Sequence, residues 1–265
     1  MNTSKQKPKG NTTISMATVK NSTAKRVVTN GKPQTISIVI PVFNEEQTID
    51  ILIESVRNAD TLGLRKEIIV VDDASTDGTK AVLQKIKNIK LFSHEKNKGK
   101  GAALRTGFAK ATGDIILIQD ADTEYSPADF PKMIEPFLLF KADVVYGTRF
   151  RGSDARRVIY FTHQCANHIL TFYSNLLTNL NLTDMECGYK AFSKATIDVL
   201  VPKLTSNRFG IEPELTARIA KIKGIKIYEV GISYQGRTYE EGKKIGAIDG
   251  IKALAQITFF NLFEE

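Results

Sequence analysis

Two carboxylates stand one residue apart, at Asp120 and Asp122, shortly after the apolar run Ile115 to Ile118. Carboxylates at the end of a buried strand repel one another and lose hydration unless a cation lies between them. Mg²⁺ and Mn²⁺ accept such oxygen ligands and keep coordination positions for phosphate oxygens. The pair therefore predicts a metal and diphosphate site, although a capping loop before a helix at Pro127 produces the same short pattern.

Other polar side chains also follow apolar runs, and they are Asn44, Glu45, Asp72, Asp73, His94 and Arg149. If these runs are parallel strands, their C-terminal ends meet at one edge of a sheet, where such sheets bind ligands. Asp72 and Asp73 can accept hydrogen bonds from a base or a ribose, while Ser75 or Asp77 would cap the next helix.

Residues 96–101, KNKGKG, resemble a phosphate loop in composition but lack the Walker spacing, so a solvated turn is the alternative.

The elements that would position these side chains alternate between strand and helix patterns. Short apolar runs predict strands at 36–43, 67–73, 89–92, 114–120, 143–148 and 224–234. Helical spacing predicts helices at 45–57, 77–88, 101–112, 127–140, 158–180 and 246–263. Apolar strands that alternate with helices form a mostly parallel sheet with helices on both faces. The sequence thus predicts a single α/β domain of Rossmann-like architecture.

The net charge of +8 is concentrated in residues 1–35, which hold seven Lys or Arg residues and no acid. Subtracting these seven charges from +8 leaves about +1 for the rest of the chain, so no basic face for nucleic acid is expected there. Residues 1–35 are rich in Ser, Thr, Asn and Lys and cannot bury enough surface to offset the entropy of ordering. They predict a disordered basic tail, acting as a spacer or attracted to anionic lipid.

Cys165 and Cys187 are the only cysteines. Two thiols without zinc-ligand spacing build neither a disulfide framework nor a zinc site, which favours a reducing, cytoplasmic compartment. The longest stretch without a charged residue, Val158 to Thr183, is broken by many polar residues and is too polar to span a membrane. Its first part, 158–180, predicts an amphipathic helix with an uncharged polar face.

Several motifs together resemble the inverting family 2 glycosyltransferases with the GT-A fold. They are residues 41–46 (PVFNEE), 72–79 (DDASTDGT), 97–101 (NKGKG), 120–122 (DAD) and 147–149 (GTR). Residues 183–190 (TDMECGYK), 208–214 (RFGIEPE) and 236–244 (GRTYEEGKK) resemble the polyprenyl-phosphate branch, which contains the dolichyl-phosphate mannose and glucose synthases. The resemblance implies a GT-A catalytic domain at 36–245, with a nucleotide-binding half at 36–150, an acceptor-binding half at 151–245 and a C-terminal amphipathic helix at 246–265.

The resemblance also implies a role for each matching residue. The donor nucleotide would be bound by Pro41, Phe43, Glu45, Asp72 or Asp73, Lys100, Asp120 and Arg237. The ligands of Mg²⁺ or Mn²⁺ would be Asp120, Asp122 and Glu124, the last at the place of a glutamine ligand in some relatives. Arg149 would contact the acceptor phosphate, a charge-assisted contact that suits a guanidinium group.

The expected reaction is transfer of a hexose from a GDP- or UDP-sugar to a polyprenyl phosphate. A phosphate acceptor is already ionised near neutral pH, because its second pKa is about 6, so it needs positioning and no base. An alcohol acceptor would need a general base, for which Glu212 or Glu214 is the candidate. We expect a cytoplasmic protein at the cytoplasmic membrane face, attached through its surface or through a membrane-protein partner.

Three other interpretations fit parts of the sequence. A soluble glycosyltransferase of the same fold would act on a glycan or on the hydroxyl of a small molecule. A nucleotidyltransferase shares the α/β sheet and a glycine-rich lysine loop, but there the loop usually follows the first strand, where this chain has PVFNEE. A non-catalytic sugar-binding protein would keep the site without turnover.

Overall fold

The computed structural model describes residues 35–152, 157–158, 160–237 and 247–264. The strands in these ranges are β1 (Thr35–Val42), β2 (Arg65–Asp72), β3 (Lys90–Ser93), β4 (Ile115–Ile118), β5 (Val144–Thr148), β6 (Lys190–Ser193) and β7 (Ile227–Gly231). The helices are α1 (Ile49–Asn58), α2 (Thr79–Lys85), α3 (Lys100–Lys110), α4 (Phe130–Phe140), α5 (Phe161–Thr178), α6 (Lys194–Leu200), α7 (Ile211–Ala220) and α8 (Ala247–Leu262). Short 3₁₀ turns at Pro127–Asp129 and Val201–Lys203 precede α4 and follow α6.

The strands form one sheet in the order β3-β2-β1-β4-β6-β5-β7. Neighbouring strands are parallel except at β6, which runs antiparallel to both β4 and β5. The C-terminal ends of β1, β2, β4 and β5 therefore lie at one edge, and β6 begins at that same edge. As a result, the loop before β6, residues 184–189, lies between the end of β4 and the end of β5.

Both faces of the sheet are buried because its central strands are apolar on both sides. Alternate residues of β1 show this, since Ile38 and Ile40 pack into one core while Val39 packs into the other. The first core includes residues of α1, α2 and α4, and the second includes residues of α3, α6 and α7. This arrangement is the three-layer α/β architecture that the sequence predicts, which is thereby confirmed.

The second half of the chain differs from the prediction in three elements. β6, α6 and α7 are absent from the predicted strands and helices, and β6 introduces the antiparallel pairings. Thr35, which we assigned to the tail, is the first residue of β1. The rest of the predicted tail, 1–34, and residues 238–246 lie outside the described residues. One sheet joins the two predicted halves of the domain, so their boundary near residue 150 is not a break in the fold.

The uncharged helix α5 turns its polar side inward. Thr171 and Ser174 are buried, and the Thr171 hydroxyl accepts a hydrogen bond from the Met185 backbone NH at 3.1 Å. An apolar set on the other side, Phe161, Ile169, Phe172 and Leu176, is exposed, and we call it the outer stripe of α5. α5 also packs against α8 around Leu170 and Ile257. Within the described residues, none of the helices has the length and apolar character needed to cross a bilayer.

Candidate active site

The Asp120 carboxylate lies just beyond the end of β4 and is held by a lysine. Lys100, the first residue of α3, places its Nζ 2.8 Å from Asp120 Oδ1 and 2.9 Å from Oδ2. The helix can begin there because Gly99 adopts a φ of 97°, which favours glycine, and a Cβ at Gly99 would come within 2.5 Å of the Asn207 carbonyl oxygen. Lys100 therefore reaches the strand edge from a fixed helix start.

Asp122 lacks comparable compensation. Burial raises its pKa to about 7, with further contributions from the negative charges of Asp120 and Glu124. A divalent cation at Asp120 and Asp122 would neutralise this excess charge, so the donor set fits Mg²⁺ or Mn²⁺. Among the described residues, no three Asp, Glu, His or Cys side chains are grouped as a metal site. Such an ion would need further oxygen ligands from bound phosphate or water.

Glu124, the third predicted metal ligand, also contacts other protein groups. One carboxylate oxygen accepts a hydrogen bond from the Tyr234 hydroxyl at 3.0 Å, and the other accepts one from the Arg237 backbone NH at 2.7 Å. These contacts tie the segment after β7 to the loop after β4. Glu124 therefore positions Arg237, and because each of its oxygens keeps a further lone pair, its role as a metal ligand stays a prediction.

The side chain of Arg237 turns toward the end of β1. Its guanidinium Nη2 lies 3.3 Å from Glu45 Oε2, and the Thr48 hydroxyl donates to the same carboxylate oxygen at 2.8 Å. Pro41 is in β1 and Phe43 follows it, both partly exposed at the same strand end. The structure thus brings together four of the predicted nucleotide-binding residues. Pro41, Phe43 and Glu45 come from the start of the catalytic segment, and Arg237 comes from its end.

Asp72 and Asp73 have different surroundings although they are adjacent. The Asp73 carboxylate accepts hydrogen bonds from the backbone NH groups of Lys98 and Gly99, at 2.9 and 2.6 Å, and lies 2.6 Å from His94 Nδ1. Asp73 is therefore occupied in holding the 94–99 loop. Asp72 Oδ1 accepts from the Ser75 NH at 3.0 Å, but its buried Oδ2 has no hydrogen-bond partner. Only Asp72 keeps an oxygen for a ligand.

Glu212 is the centre of a buried charge network. Its Oε2 lies 2.5 Å from the Nζ of Lys190, a side chain that is 0% exposed, and its Oε1 lies 3.2 Å from Lys100 Nζ. Although burial acts in the opposite direction, Lys190 and Lys100 keep the pKa of Glu212 below its ordinary value. A carboxylate that is ionised and paired with two ammonium groups is a poor general base. The structure does not favour the base role that we considered for Glu212.

Glu214 is also bound to protein groups and lies away from these lysines. Its oxygens accept hydrogen bonds from the backbone NH groups of Thr205 and Ser206, at 2.8 and 2.7 Å. They also pair with Arg218 Nε at 2.9 Å. These contacts fix the segment before α7 to the first turn of the helix. Glu214 therefore has a structural role in place of the catalytic role that we considered.

Arg149 follows β5 and is held in one orientation by Asp184. Its Nε and Nη2 each donate to one Asp184 oxygen at 2.7 Å, and its backbone NH donates to the same carboxylate at 3.0 Å. The guanidinium carbon lies 5.2 Å from the ring centre of Tyr234. Although burial opposes ionisation, Asp184 raises the pKa of Arg149 well above its ordinary value. Arg149 is thus a permanent, oriented cation at the strand edge.

Sequence reasoning missed the residues that organise this network. Asp184, Glu186, Gly188 and Lys190 belong to the motif at 183–190, yet we assigned a role to none of them. A signal was present, because a lysine within the apolar run Tyr189 to Phe192 has to find a counter-ion if the run is buried. The identity of that counter-ion, Glu212, depends on tertiary packing.

Comparison with known proteins gives consistent matches. The model of the family "Glycosyl transferase family 2" matches residues 37–200. A relative of unassigned activity from Methanocaldococcus jannaschii is 30% identical over 231 residues, which cover 86% of this chain and 93% of the relative. A UDP-N-acetylglucosamine–dolichyl-phosphate N-acetylglucosaminyltransferase from Methanococcus voltae is 28% identical, covering 86% of this chain and 96% of its own. An undecaprenyl-phosphate mannosyltransferase from Micrococcus luteus is 28% identical, with coverage of 84% and 93%.

The fold is also found among solved structures. The glucosyl-3-phosphoglycerate synthase of Mycobacterium tuberculosis, solved with Mn²⁺, UDP and phosphoglyceric acid, aligns with a TM-score of 0.64. The alignment covers 88% of this chain and 80% of that one, at 24% identity, and it shows a common fold. The sheet, the strand-end carboxylates and the family match point the same way. The chain belongs to glycosyl transferase family 2 and is a glycosyltransferase of the GT-A fold.

Proposed function

We propose that this glycosyltransferase moves a hexose from a nucleoside diphosphate sugar to a polyprenyl phosphate, with inversion and with Mg²⁺ or Mn²⁺ on the donor diphosphate. The observation that carries the proposal is the position of Arg149, which lies at the end of β5, two strands from β4 and next to α5 through Asp184 and Phe150. Membership of the family leaves the nucleotidyltransferase and the non-catalytic sugar-binding interpretations without support. Two relatives that align over most of this chain have names that specify a polyprenyl-phosphate acceptor.

The donor part of the proposed site lies at the ends of β1, β2 and β4. Asp72 would accept a hydrogen bond from the nucleoside through its buried Oδ2, the oxygen without a protein partner. Pro41, Phe43 and Glu45 would border the nucleoside at the end of β1. Asp120 and Asp122 would hold the metal ion, which stabilises the charge of the departing diphosphate when bound. Lys100 and Arg237 would add positive charge on either side.

The proposed acceptor part lies at the end of β5. Asp184, which orients Arg149, also lies 3.5 Å from the amide nitrogen of Asn167 in α5. The ring of Phe150, next to Arg149, packs on His168 of α5 with ring centres 4.8 Å apart. A lipid phosphate bound to Arg149 would therefore have α5 beside it, and the outer stripe of α5 would face the bilayer that holds the lipid tail.

The chemistry then needs no general base. An ionised phosphate oxygen of the acceptor attacks the anomeric carbon, a C–O bond forms, and the bond from that carbon to the donor diphosphate breaks with its electron pair on the leaving group. In-line attack inverts the anomeric centre. Arg149 would hold the attacking phosphate, and the pairing of Glu212 and Glu214 with cations agrees with a reaction that takes no proton from the acceptor.

The membrane part of the proposal concerns attachment at the surface. The outer stripe is apolar, and the helix that carries it has no Asp, Glu, Lys or Arg from Phe161 to Thr178. Such a helix is suited to the boundary between head groups and acyl chains, where it buries apolar area without desolvating charge. We propose peripheral binding at the cytoplasmic membrane face. The division of the catalytic segment into a nucleotide-binding half at 36–150 and an acceptor-binding half at 151–245 is part of the same proposal.

The test is to follow radioactive sugar from GDP-mannose, UDP-glucose or UDP-N-acetylglucosamine into polyprenyl phosphate, with either metal. We expect a product that partitions into organic solvent and releases its sugar in mild acid. Arg149→Gln should abolish this transfer and leave donor binding unchanged. Label that appears only in a water-soluble product would reject the lipid acceptor in favour of a soluble hydroxyl acceptor.

A further inference from the structure

The loop 184–189 contacts both the donor and the acceptor parts of the site. At its start, the Asp184 carboxylate accepts two hydrogen bonds from the Arg149 side chain and one from its backbone NH. Near its end, Gly188 lies so close to Asp120 and Lys100 that an added Cβ would come within 2.5 Å of Asp120 Oδ2 and 2.8 Å of Lys100 Nζ. Glu186 lies midway between these two contacts.

The backbone on both sides of Glu186 is fixed. The Gly188 NH donates to the Tyr125 hydroxyl at 3.2 Å, and Lys190 Nζ donates to the Met185 carbonyl oxygen at 3.1 Å. Met185 is also held through its NH by Thr171 of α5. Glu186 is thus presented by a loop that cannot move without breaking contacts to three other segments.

The Glu186 carboxylate is only partly compensated, because burial raises its pKa by more than the positive charges of Lys190 and Arg149 lower it. Its Oε1 is buried and accepts no hydrogen bond, and the side chain forms no ion pair in the described part of the chain. Burial, with a contribution from the negative charge of Glu212, raises its pKa to about 7. A buried carboxylate oxygen without a donor costs free energy, which a ligand that supplies the donor would recover.

We propose that Glu186 binds hydroxyl groups of the donor hexose and contributes to the selection of the sugar. The inference rests on the proposed function, because the transferred hexose must lie between the diphosphate near Asp120 and the nucleophile near Arg149. That path follows the loop 184–189. A carboxylate can accept hydrogen bonds from two neighbouring hydroxyls, whereas the metal, Lys100 and Arg149 recognise phosphate. Sites built to hydrogen-bond a substrate hydroxyl discriminate strongly against sugars that lack it.

The test compares the binding of a sugar nucleotide with the binding of its nucleoside diphosphate, by calorimetry with Mn²⁺ and without acceptor. The probe is whichever of GDP-mannose, UDP-glucose and UDP-N-acetylglucosamine binds the wild-type protein most tightly. Glu186→Gln should weaken the sugar nucleotide about tenfold, or about 1.4 kcal/mol, and change the nucleoside diphosphate less than about twofold. The control Glu135→Gln, the same change at an exposed position of α4, should alter neither affinity.

Two results would overturn the proposal. If Glu186→Gln weakens the binding of the sugar nucleotide and of the nucleoside diphosphate equally, Glu186 acts only through its charge. If the variant binds both ligands as wild type does, Glu186 does not belong to the binding site. Glu186→Asp keeps the charge but shortens the reach, and it should show the same sugar-specific loss; a wild-type ratio of affinities in this variant would also count against the proposal. Because no acceptor is present, failure of transfer to polyprenyl phosphate would reject the proposed function and leave this measurement valid.

Discussion

Lys100 Nζ lies within 2.9 Å of both carboxylate oxygens of Asp120, so a protein cation neutralises one of the two proposed metal ligands. The same ammonium group is 3.2 Å from Glu212 Oε1. The carboxylates of Asp120 and Glu212 raise the pKa of Lys100, against the effect of burial, so the charge is permanent. A metal ion that binds Asp120 must therefore share this carboxylate with Lys100.

Replacement of Lys100 by Met should separate metal binding from donor binding. The change frees Asp120, so Mn²⁺ alone should bind about tenfold more tightly, while the nucleoside diphosphate should bind more weakly because a cation beside the phosphates is lost. Calorimetry with MnCl₂ and then with the nucleotide measures both effects. Lys98→Met removes an exposed charge from the loop just before α3 and should change neither affinity. Equal metal affinity in wild type and Lys100→Met would contradict the expected competition.

Asp122→Asn should stabilise the metal-free protein while it abolishes transfer. The folded-state pKa of Asp122 is about 7, raised from an ordinary value of 3.8, so ionised Asp122 destabilises the fold increasingly as pH rises between these values. In EDTA, the Tm of the variant should exceed that of wild type by roughly 2–4 °C at pH 8, corresponding to about 1 kcal/mol. The difference should shrink at pH 4 to 5. A pH-independent difference would show that charge repulsion is not its source.

Arg149→Lys should slow the transfer reaction by weakening the binding of the acceptor. A lysine keeps the charge but cannot make the two-point contact with Asp184 that orients the guanidinium group. We expect the KM for polyprenyl phosphate to rise about tenfold or more, with donor affinity within about twofold of wild type. Initial rates at varied acceptor and calorimetry with the donor measure these quantities. A variant with weakened donor binding and an unchanged acceptor KM would place Arg149 on the donor side.

Glu67, which is far from the proposed site, is expected to make the free energy of unfolding depend on pH in the acid range. Although burial alone would raise its pKa, hydrogen bonds from Lys90, Ser37 and Thr112 lower it from 4.5 to about 2. Its contribution is therefore complete above about pH 4.5 and is lost as pH falls toward 2. Glu67→Gln should cost about 1–3 kcal/mol of unfolding free energy at pH 7 and less at pH 3.

Denaturant titrations at the two pH values measure this dependence. Glu54→Gln is the matched control, since Glu54 is exposed and pairs with Arg57 on the surface of α1. Surface pairs contribute little, so this variant should unfold like wild type at both pH values. A Glu67→Gln penalty that is equal at pH 7 and pH 3 would mean that packing, and not the ionised carboxylate, is responsible.

Phe172→Glu should reduce attachment to membranes. Phe172 is 71% exposed in the outer stripe, so a charge there should leave the Tm unchanged while it opposes entry into the head-group region. We expect binding to phosphatidylcholine–phosphatidylglycerol vesicles, measured by co-sedimentation, to fall about tenfold. Leu139→Glu changes a side chain that is 61% exposed on α4, and it should bind vesicles as wild type does. Equal losses of vesicle binding in both variants would show that α5 is not the surface that binds the membrane.

The sequence predicted the first half of the fold well because its strands are continuous apolar runs. Ile115 to Ile118 is buried on both faces, and the polar residues after such a run had to lie at the sheet edge. The same reasoning missed elements of the second half because charged residues occupy buried positions there. Lys190 in β6, and Glu212 and Glu214 in α7, interrupt the apolar periodicity that marks core elements. Their pairing joins segments far apart in sequence, so only the folded chain shows it.

The antiparallel strand β6 determines how far apart the strand ends of the proposed donor and acceptor parts stand. Because β6 is inserted between β4 and β5, these two strands stand two spacings apart, roughly 9.6 Å, where direct neighbours would be half as far. The departing diphosphate at β4 and the incoming phosphate at β5 would thus be kept apart by backbone hydrogen bonds, whatever side chains fill the gap. Substitution of Glu186 at constant loop length would then vary the choice of sugar without moving β4 and β5, whereas Met185 and Cys187 on either side are buried in the cores. Donor preference in this protein would, on that basis, be open to redesign at this single position.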